Sequence, residues 1–456
     1  MTLAHPLHRP QRASRLGAAI LAVSIGAAAT IGVPPVPGPG APPAAAAGAG
    51  SCAPVAPLTA AAQNATVGVT PTAVHVGNVS VLSGPVPGLF EGAPTGVRAY
   101  FGMVNAQGGV DGRKLDLDGY DDAFNGANNT ADTQQAAAKD FALVGSFSLF
   151  DGYGCKVLAG DPAVPDVSVT LDPGTNDLPN VFSAEPVGQG EELGPILYWK
   201  RLYPAAVEHA GSILADIPQV IAEWDVQKAT MEHAGYHFVY TSFINPLTSD
   251  MTPEIIAMRD AGVQAVCITN LDYQLDAIFL LDAAQQGWHP QLVFSGGPAY
   301  ADQFVRAAGG AGNVDGVWLG IEQALYLGQD RAKIPADNQF LTWVARVSPG
   351  WVPDLYTLFG WASAQLFVQA LRAAGPDPTR GKVLAALRGI TSFNASGLLA
   401  PTDPAAKRPA PCYLLARIVD GRYDRVADPP VGFRCDAPYY FVPGAAPGGS
   451  TGPPSG

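Results

Sequence analysis

Between about Thr66 and Phe441, short apolar runs alternate with longer segments whose apolar residues recur every three or four positions. The short runs Val74–Val81, Leu115–Tyr120, Ala142–Ser146 and Asp166–Thr170 have strand length and strand composition. Between them, Val97, Tyr100, Phe101 and Val104 share a helical face that ends at Gly108-Gly109, and Asn128–Lys139 reads as a polar, Ala-rich helix. The alternation then restarts. Strands are predicted at Gly211–Ala215, Phe238–Phe243, Ala265–Thr269 and Leu292–Ser295, with helices at Glu191–Leu202, Pro218–Ala234, Pro253–Ala261 and Tyr273–Gln286. Strands separated by helices cannot pair as hairpins; they form parallel sheets covered on both faces. Two such successions predict an α/β chain of two lobes. Leu355–Ala374 and Lys382–Arg388 read as further helices. Tyr413–Val419 and Tyr423–Val426 then form a hairpin turning at Asp420-Gly421, which breaks the rhythm.

The ends have a different composition. Arg9, Arg12 and Arg15 precede an apolar run from Leu16 to Val33, and small residues follow at Ala44–Ala47, so residues 1–47 read as an export signal. The run could span a membrane, but it is Ala/Gly-dominated, meets Pro34-Pro35 and has no basic residue on its far side, which favours a cleaved leader. Residues 48–65 read as a Pro/Ala/Gly-rich linker and 442–456 as a disordered tail. Without the leader, 23 basic residues face 39 acidic ones, a balance that repels phosphate backbones and argues against a nucleic-acid partner.

Export makes the five cysteines informative. Cys412 and Cys435 flank the hairpin and are the expected disulfide. Cys267 lies in an apolar run and reads as a buried thiol. Ala49-Gly50-Ser51-Cys52 loosely resembles a lipoprotein box but lacks the large aliphatic residue at its start. Cys52 is therefore open to lipid anchoring, to pairing with Cys155, or to simple exposure.

In open parallel sheets, ligands sit beyond the carboxyl ends of the strands. The loops there offer Ser83, Phe147, Ser148, Thr170 and Asp172 from the first lobe, and Asp216, Asn270, Asp272, Tyr273 and Tyr300 from the second. Their hydroxyls and neighbouring N–H groups suit a polar solute, with Phe147 or Tyr273 stacking on it. Tyr356, Phe359, Trp361 and Phe367 crowd one helix, where core packing accounts for most and the helix end can lend one aromatic to the cleft. Catalysis and cofactors find no support. There is no Gly-x-Ser-x-Gly elbow, and His75, His209, His233, His237 and His289 lack paired metal spacing. Asp121, Asn125, Gly126 and Asp132 echo a calcium loop, but Ala123 stands where an oxygen ligand is required.

The run Val76-Gly-Asn-Val-Ser-Val-Leu-Ser-Gly-Pro85, then Asn105-Ala-Gln-Gly-Gly-Val-Asp-Gly-Arg-Lys114, then Tyr120-Asp-Asp122, resembles the opening of type I periplasmic binding proteins, such as the branched-chain amino acid and amide binders of ABC importers. The resemblance extends over about Thr66 to Phe441. It implies two Rossmann-like lobes joined by a hinge, 66–183 plus 317–400 and 184–316 plus 401–441, with crossings near Ser183, Gly316 and Pro401. It also implies a monomer that captures a small ligand for an ABC permease, without catalysis. An extracytoplasmic sensor domain would share this fold. In the family's amino acid binders, an acidic residue after a late second-lobe strand pairs with the ligand ammonium. Here Gly296-Gly297-Pro298-Ala299-Tyr300 occupies that place. A carboxylate- or amide-bearing solute without that contact is therefore expected, rather than leucine, isoleucine or valine.

Overall fold

The computed structural model describes residues 52–443 apart from Pro87, Leu271, Ala427 and Asp428. The expected leader, the start of the linker and most of the tail lie outside the described residues. The first sheet contains β1 (Ala73–Ser80), β2 (Lys114–Asp121), β3 (Leu143–Val144) and β4 (Asp166–Val167), in the order β2-β1-β3-β4 and parallel throughout. Central β1 buries Val74, Val76 and Val79, whereas edge strand β2 buries Leu115 and exposes its alternate residues. That contrast separates a strand covered on both faces from one at a sheet edge.

After a short strand β5 (Gly190–Glu192), the second succession supplies β6 (Ala210–Ala215), β7 (Phe238–Ile244), β8 (Ala265–Cys267), β9 (Leu292–Ser295) and β10 (Trp318–Ile321). The closing hairpin, β11 (Leu414–Val419) and β12 (Arg422–Arg425), completes a seven-stranded sheet ordered β12-β11-β10-β9-β8-β6-β7. Strands β6 to β10 run parallel and the hairpin antiparallel. Asp420 and Gly421 both take positive φ (49° and 72°), the left-handed pair of a two-residue hairpin turn. Strand β13 (Tyr439–Phe441) pairs antiparallel with β5.

The return of the chain to the first sheet is fixed by helix packing. Helix Leu355–Ala374 lies against helix Gly92–Ala106 with backbones in contact: a Cβ on Gly96 would stand 1.9 Å from the Thr357 carbonyl oxygen, and one on Gly360 2.0 Å from that of Ala93. Only glycine permits that approach. The segments linking the two sheets lie side by side. Thr402 Oγ1 donates to the Ala184 carbonyl at 3.0 Å, and the Ala400 N–H donates to that of Glu322 at 2.6 Å. The middle crossing thus falls after Ile321 and not near Gly316, because Trp318 and Leu319 pair with Phe294 and Ser295 inside the second sheet.

Other departures have local causes. Glu191 and Glu192, expected to open a helix, form a strand instead, because their pairing partner lies at Tyr439–Phe441 and is invisible to local periodicity. Helices Asp151–Gly160 and Pro335–Val347 were not expected; the first carries three glycines, which depress helix propensity. Cys412 is bonded to Cys435 as expected, and Cys267 is free and buried. Cys52 is bonded to Cys155, the pairing that is one of its three expected readings. No helix among the described residues is long and apolar enough to cross a membrane.

Candidate functional site

A cavity of about 360 Å³ lies between the two sheets, within the size range of small-molecule sites. The first lobe contributes Phe147, Val169, Thr170 and Leu171, together with Tyr356 and Phe359 from the start of the returning helix. Phe147 stacks on Phe359 at 6.0 Å and meets Tyr356 at 4.9 Å, forming an aromatic wall. Helix Pro218–His233 contributes Gln219, Glu223, Trp224 and Gln227, and the helix after β5 contributes Trp199. The crossing segments contribute Glu185, Glu322 and Gln323, and β5 contributes Glu191 and Glu192.

Five of the chain's nine glutamates therefore line one cavity: Glu185, Glu191, Glu192, Glu223 and Glu322. Burial raises Glu191 to about 8, and the charges of Glu223 and Glu322 add to it. Burial raises Glu322 to about 7, held back by its hydrogen bond with Glu192. Glu185 and Glu192 lie well above the ordinary glutamate range, through burial first and then repulsion from Glu322. Glu223 stays open to the cleft solvent. No lysine, arginine or histidine lines the cavity among the described residues.

Four buried polar atoms on residues lining the cavity have no hydrogen-bond partner within the protein: the hydroxyls of Thr170 and Tyr356 and the indole N–H of Trp199, on residues 3%, 6% and 3% exposed, and one carboxyl oxygen of Glu185. Leaving such groups unpaired is costly, so each is free for a solute or for water.

Of the ten residues expected at the site, Phe147, Thr170 and Asn270 line this cavity. Asn270 is fully engaged: its carbonyl oxygen accepts from the Ala215 N–H at 2.9 Å, and its amide donates to Asp276 at 2.9 Å. Ser148 lies outside the cavity, donating to Asp122 and accepting from the Phe150 N–H at 2.9 Å. Asp172 and Asp272 cap helices, accepting from the N–H groups of Thr175 at 2.8 Å and Gln274 at 2.6 Å. Ser83 and Asp216 are exposed, and Tyr273 is half-buried beside the core without lining the cavity. Tyr300 is fully buried between Tyr326 and Tyr423, donating to Gln329 at 2.6 Å. These loop residues serve the turns and caps in which Ser and Asp commonly occur.

Reasoning from loops missed the glutamates and tryptophans. Glutamate is a surface residue by default, so no local pattern turns five of them inward. The loop after β9 indeed lacks a carboxylate, but the crossings and β5 carry several.

The comparisons agree with this architecture. A family model described as periplasmic binding protein matches residues 73–422. A Leu/Ile/Val-binding protein homolog of Brucella abortus is 25% identical over 264 residues, covering 54% of this chain and 63% of the relative, so the match spans under two thirds of that protein's length. A leucine-binding protein from Thermotoga maritima superposes with a TM-score of 0.63 at 16% identity, covering 78% of this chain and 98% of that one. A fatty acid ABC transporter substrate-binding protein from Thermomonospora curvata gives 0.67 at 17% identity, covering 83% and 97%. With a family match across most of the chain, one parallel sheet, a second that is parallel but for its closing hairpin, and a cavity beside their crossing segments, the chain belongs to the periplasmic binding protein family and has the type I fold.

Proposed function

We propose that this chain is an extracytoplasmic solute-binding protein that acts as a monomer, captures a small polar molecule between its lobes and delivers it to the permease of an ABC-type importer. On this reading the first lobe comprises 66–183 plus 323–400 and the second 184–322 plus 401–441. The observation that carries the reading is the cavity, whose walls come from the loops beyond β3 and β4, from the second sheet and from the segments that join the two. A solute touching both walls stabilises the shut form over the open one, and rotation is taken up at the three crossings.

A thermal-shift screen of the purified protein against amino acids, amides, amines, small carboxylates, aromatic acids and sugars tests it. A solute at a hundredfold its dissociation constant adds about 2.7 kcal/mol of stability. Solution scattering with that solute should show a smaller radius. No shift with any class, or binding without compaction, overturns the reading.

A further inference from the structure

We propose that the solute is an organic cation of the diamine or polyamine class, carrying two or more amino groups separated by methylene segments. This inference rests on the solute-capture reading and names the chemistry of the same cavity. The first observation is the charge pattern: Glu185, Glu191, Glu192, Glu223 and Glu322 face the cavity with no basic side chain among its described lining residues. An anionic solute finds no basic side chain to pair with there, and a simple neutral amino acid would offer one ammonium to five carboxyls.

The second observation is independent of charge. Thr170, Tyr356 and Trp199 are nine-tenths buried or more and present unpartnered polar groups to the same cavity. Water can satisfy them in the open form; in the closed one the Thr170 and Tyr356 hydroxyls can accept from an ammonium group, while the Trp199 N–H, a donor only, keeps a water.

The two walls also differ in kind. The carboxyls come from β5, from helix Pro218–His233 and from the crossings, whereas Phe147, Tyr356 and Phe359 face them from the first lobe. Aromatic faces suit methylene segments and attract cations. Among the described residues, no group of acidic, histidine or cysteine side chains converges tightly enough to hold a metal ion. Five carboxyls drawn from β5, from helix Pro218–His233 and from two crossing segments offer partners to a solute that carries more than one positive charge.

Protonation keeps the empty cluster from repelling itself. A cation replaces those protons, so its binding releases them. The titratable groups around Glu322 are Glu185, Glu191, Glu192 and Glu223, with Tyr439 beside them, and all are acids. With one of them titrating at about 7, cation affinity rises about tenfold between pH 6 and pH 8.

Isothermal titration calorimetry of the intact exported chain tests this with 1,4-diaminobutane, spermidine and agmatine, and with leucine, benzoate and octanoate as contrasts. At least one amine is expected to bind in the micromolar range or tighter at pH 8, at least tenfold more weakly at pH 6, and with proton release seen as a buffer-dependent heat. Glu322→Gln and Glu191→Gln should each lose tenfold or more in amine affinity while melting no lower than the parent protein, since each removes a like charge. Binding of leucine, benzoate or octanoate without any amine overturns the cation assignment and leaves solute capture standing. So does amine binding that is indifferent to both substitutions and to pH. Absence of heat with all six also overturns the assignment, and the broader thermal-shift screen then judges solute capture separately.

Discussion

The two disulfides should stabilise the fold unequally, in an order set by the rings they close. Cys52–Cys155 spans a sequence separation of 103 residues and Cys412–Cys435 one of 23. Cross-linking removes conformational freedom from the unfolded chain in proportion to the logarithm of ring size. That gives about 4.7 kcal/mol for the larger ring and about 3.4 kcal/mol for the smaller at 25 °C. The native surroundings act in the same direction: Cys52, Cys155 and Cys412 are 7%, 0% and 3% exposed whereas Cys435 is exposed, so replacement by alanine leaves buried voids at both ends of the larger ring and at one end of the smaller. The larger ring also ties the N-terminal segment to helix Asp151–Gly160, where the Ala56 N–H donates to the Ala159 carbonyl at 2.8 Å. Guanidinium unfolding of the double variants Cys52→Ala/Cys155→Ala and Cys412→Ala/Cys435→Ala measures both losses. The first should exceed the second by at least about 1.3 kcal/mol, the ring-closure difference, with the additional buried void adding to it. A larger loss from the hairpin pair would refute the ring-closure reasoning and place the stabilisation in the native state.

Thr170→Val should leave the unliganded protein as stable as before or slightly more so, because it removes an unpaired buried hydroxyl, while solute affinity falls about fivefold or more; equal affinity would detach Thr170 from the site. Arg380→Met should destabilise the first lobe by at least about 3 kcal/mol in denaturant titration, since the buried guanidinium donates to the carbonyls of Phe141, Ala137 and Asp140 and ion-pairs with Asp161. A loss below 1 kcal/mol would show that those carbonyls find other donors. Stability of the unliganded protein should fall as pH rises. The folded values of Glu191 and Glu322, about 8 and about 7, exceed that of an ordinary glutamate, so their contribution is complete below about pH 4.5 and lost as pH passes 7 and 8. Calorimetric melting from pH 5 to pH 8.5 should show this decline, and Glu322→Gln should flatten it. A melting temperature that rises over that range would refute the assignment.

The sequence alone determined the layered architecture. Buried parallel strands must be apolar and short and must be joined by helices, so their period is written locally. Strand β9 and helix Leu355–Ala374 fall at their expected bounds. The hairpin turn and the Cys412–Cys435 pair were legible for a related reason: each depends on residues close together in the chain. Tertiary structure decided the rest. The pairing of β5 with β13 joins segments about 250 residues apart, and the contact of Gly96 with helix Leu355–Ala374 is fixed only when two distant helices meet. The cleft depended most on such contacts. Ser, Asp and Tyr in loops look like ligands in any α/β sequence, yet Ser148, Asp172, Asp272 and Tyr300 are spent on internal bonds. Glu185, Glu191, Glu192, Glu223 and Glu322 look like ordinary surface residues one at a time. They become a site only because the crossing segments, β5 and helix Pro218–His233 converge on one cavity, an arrangement fixed by long-range packing and by no local pattern of residues.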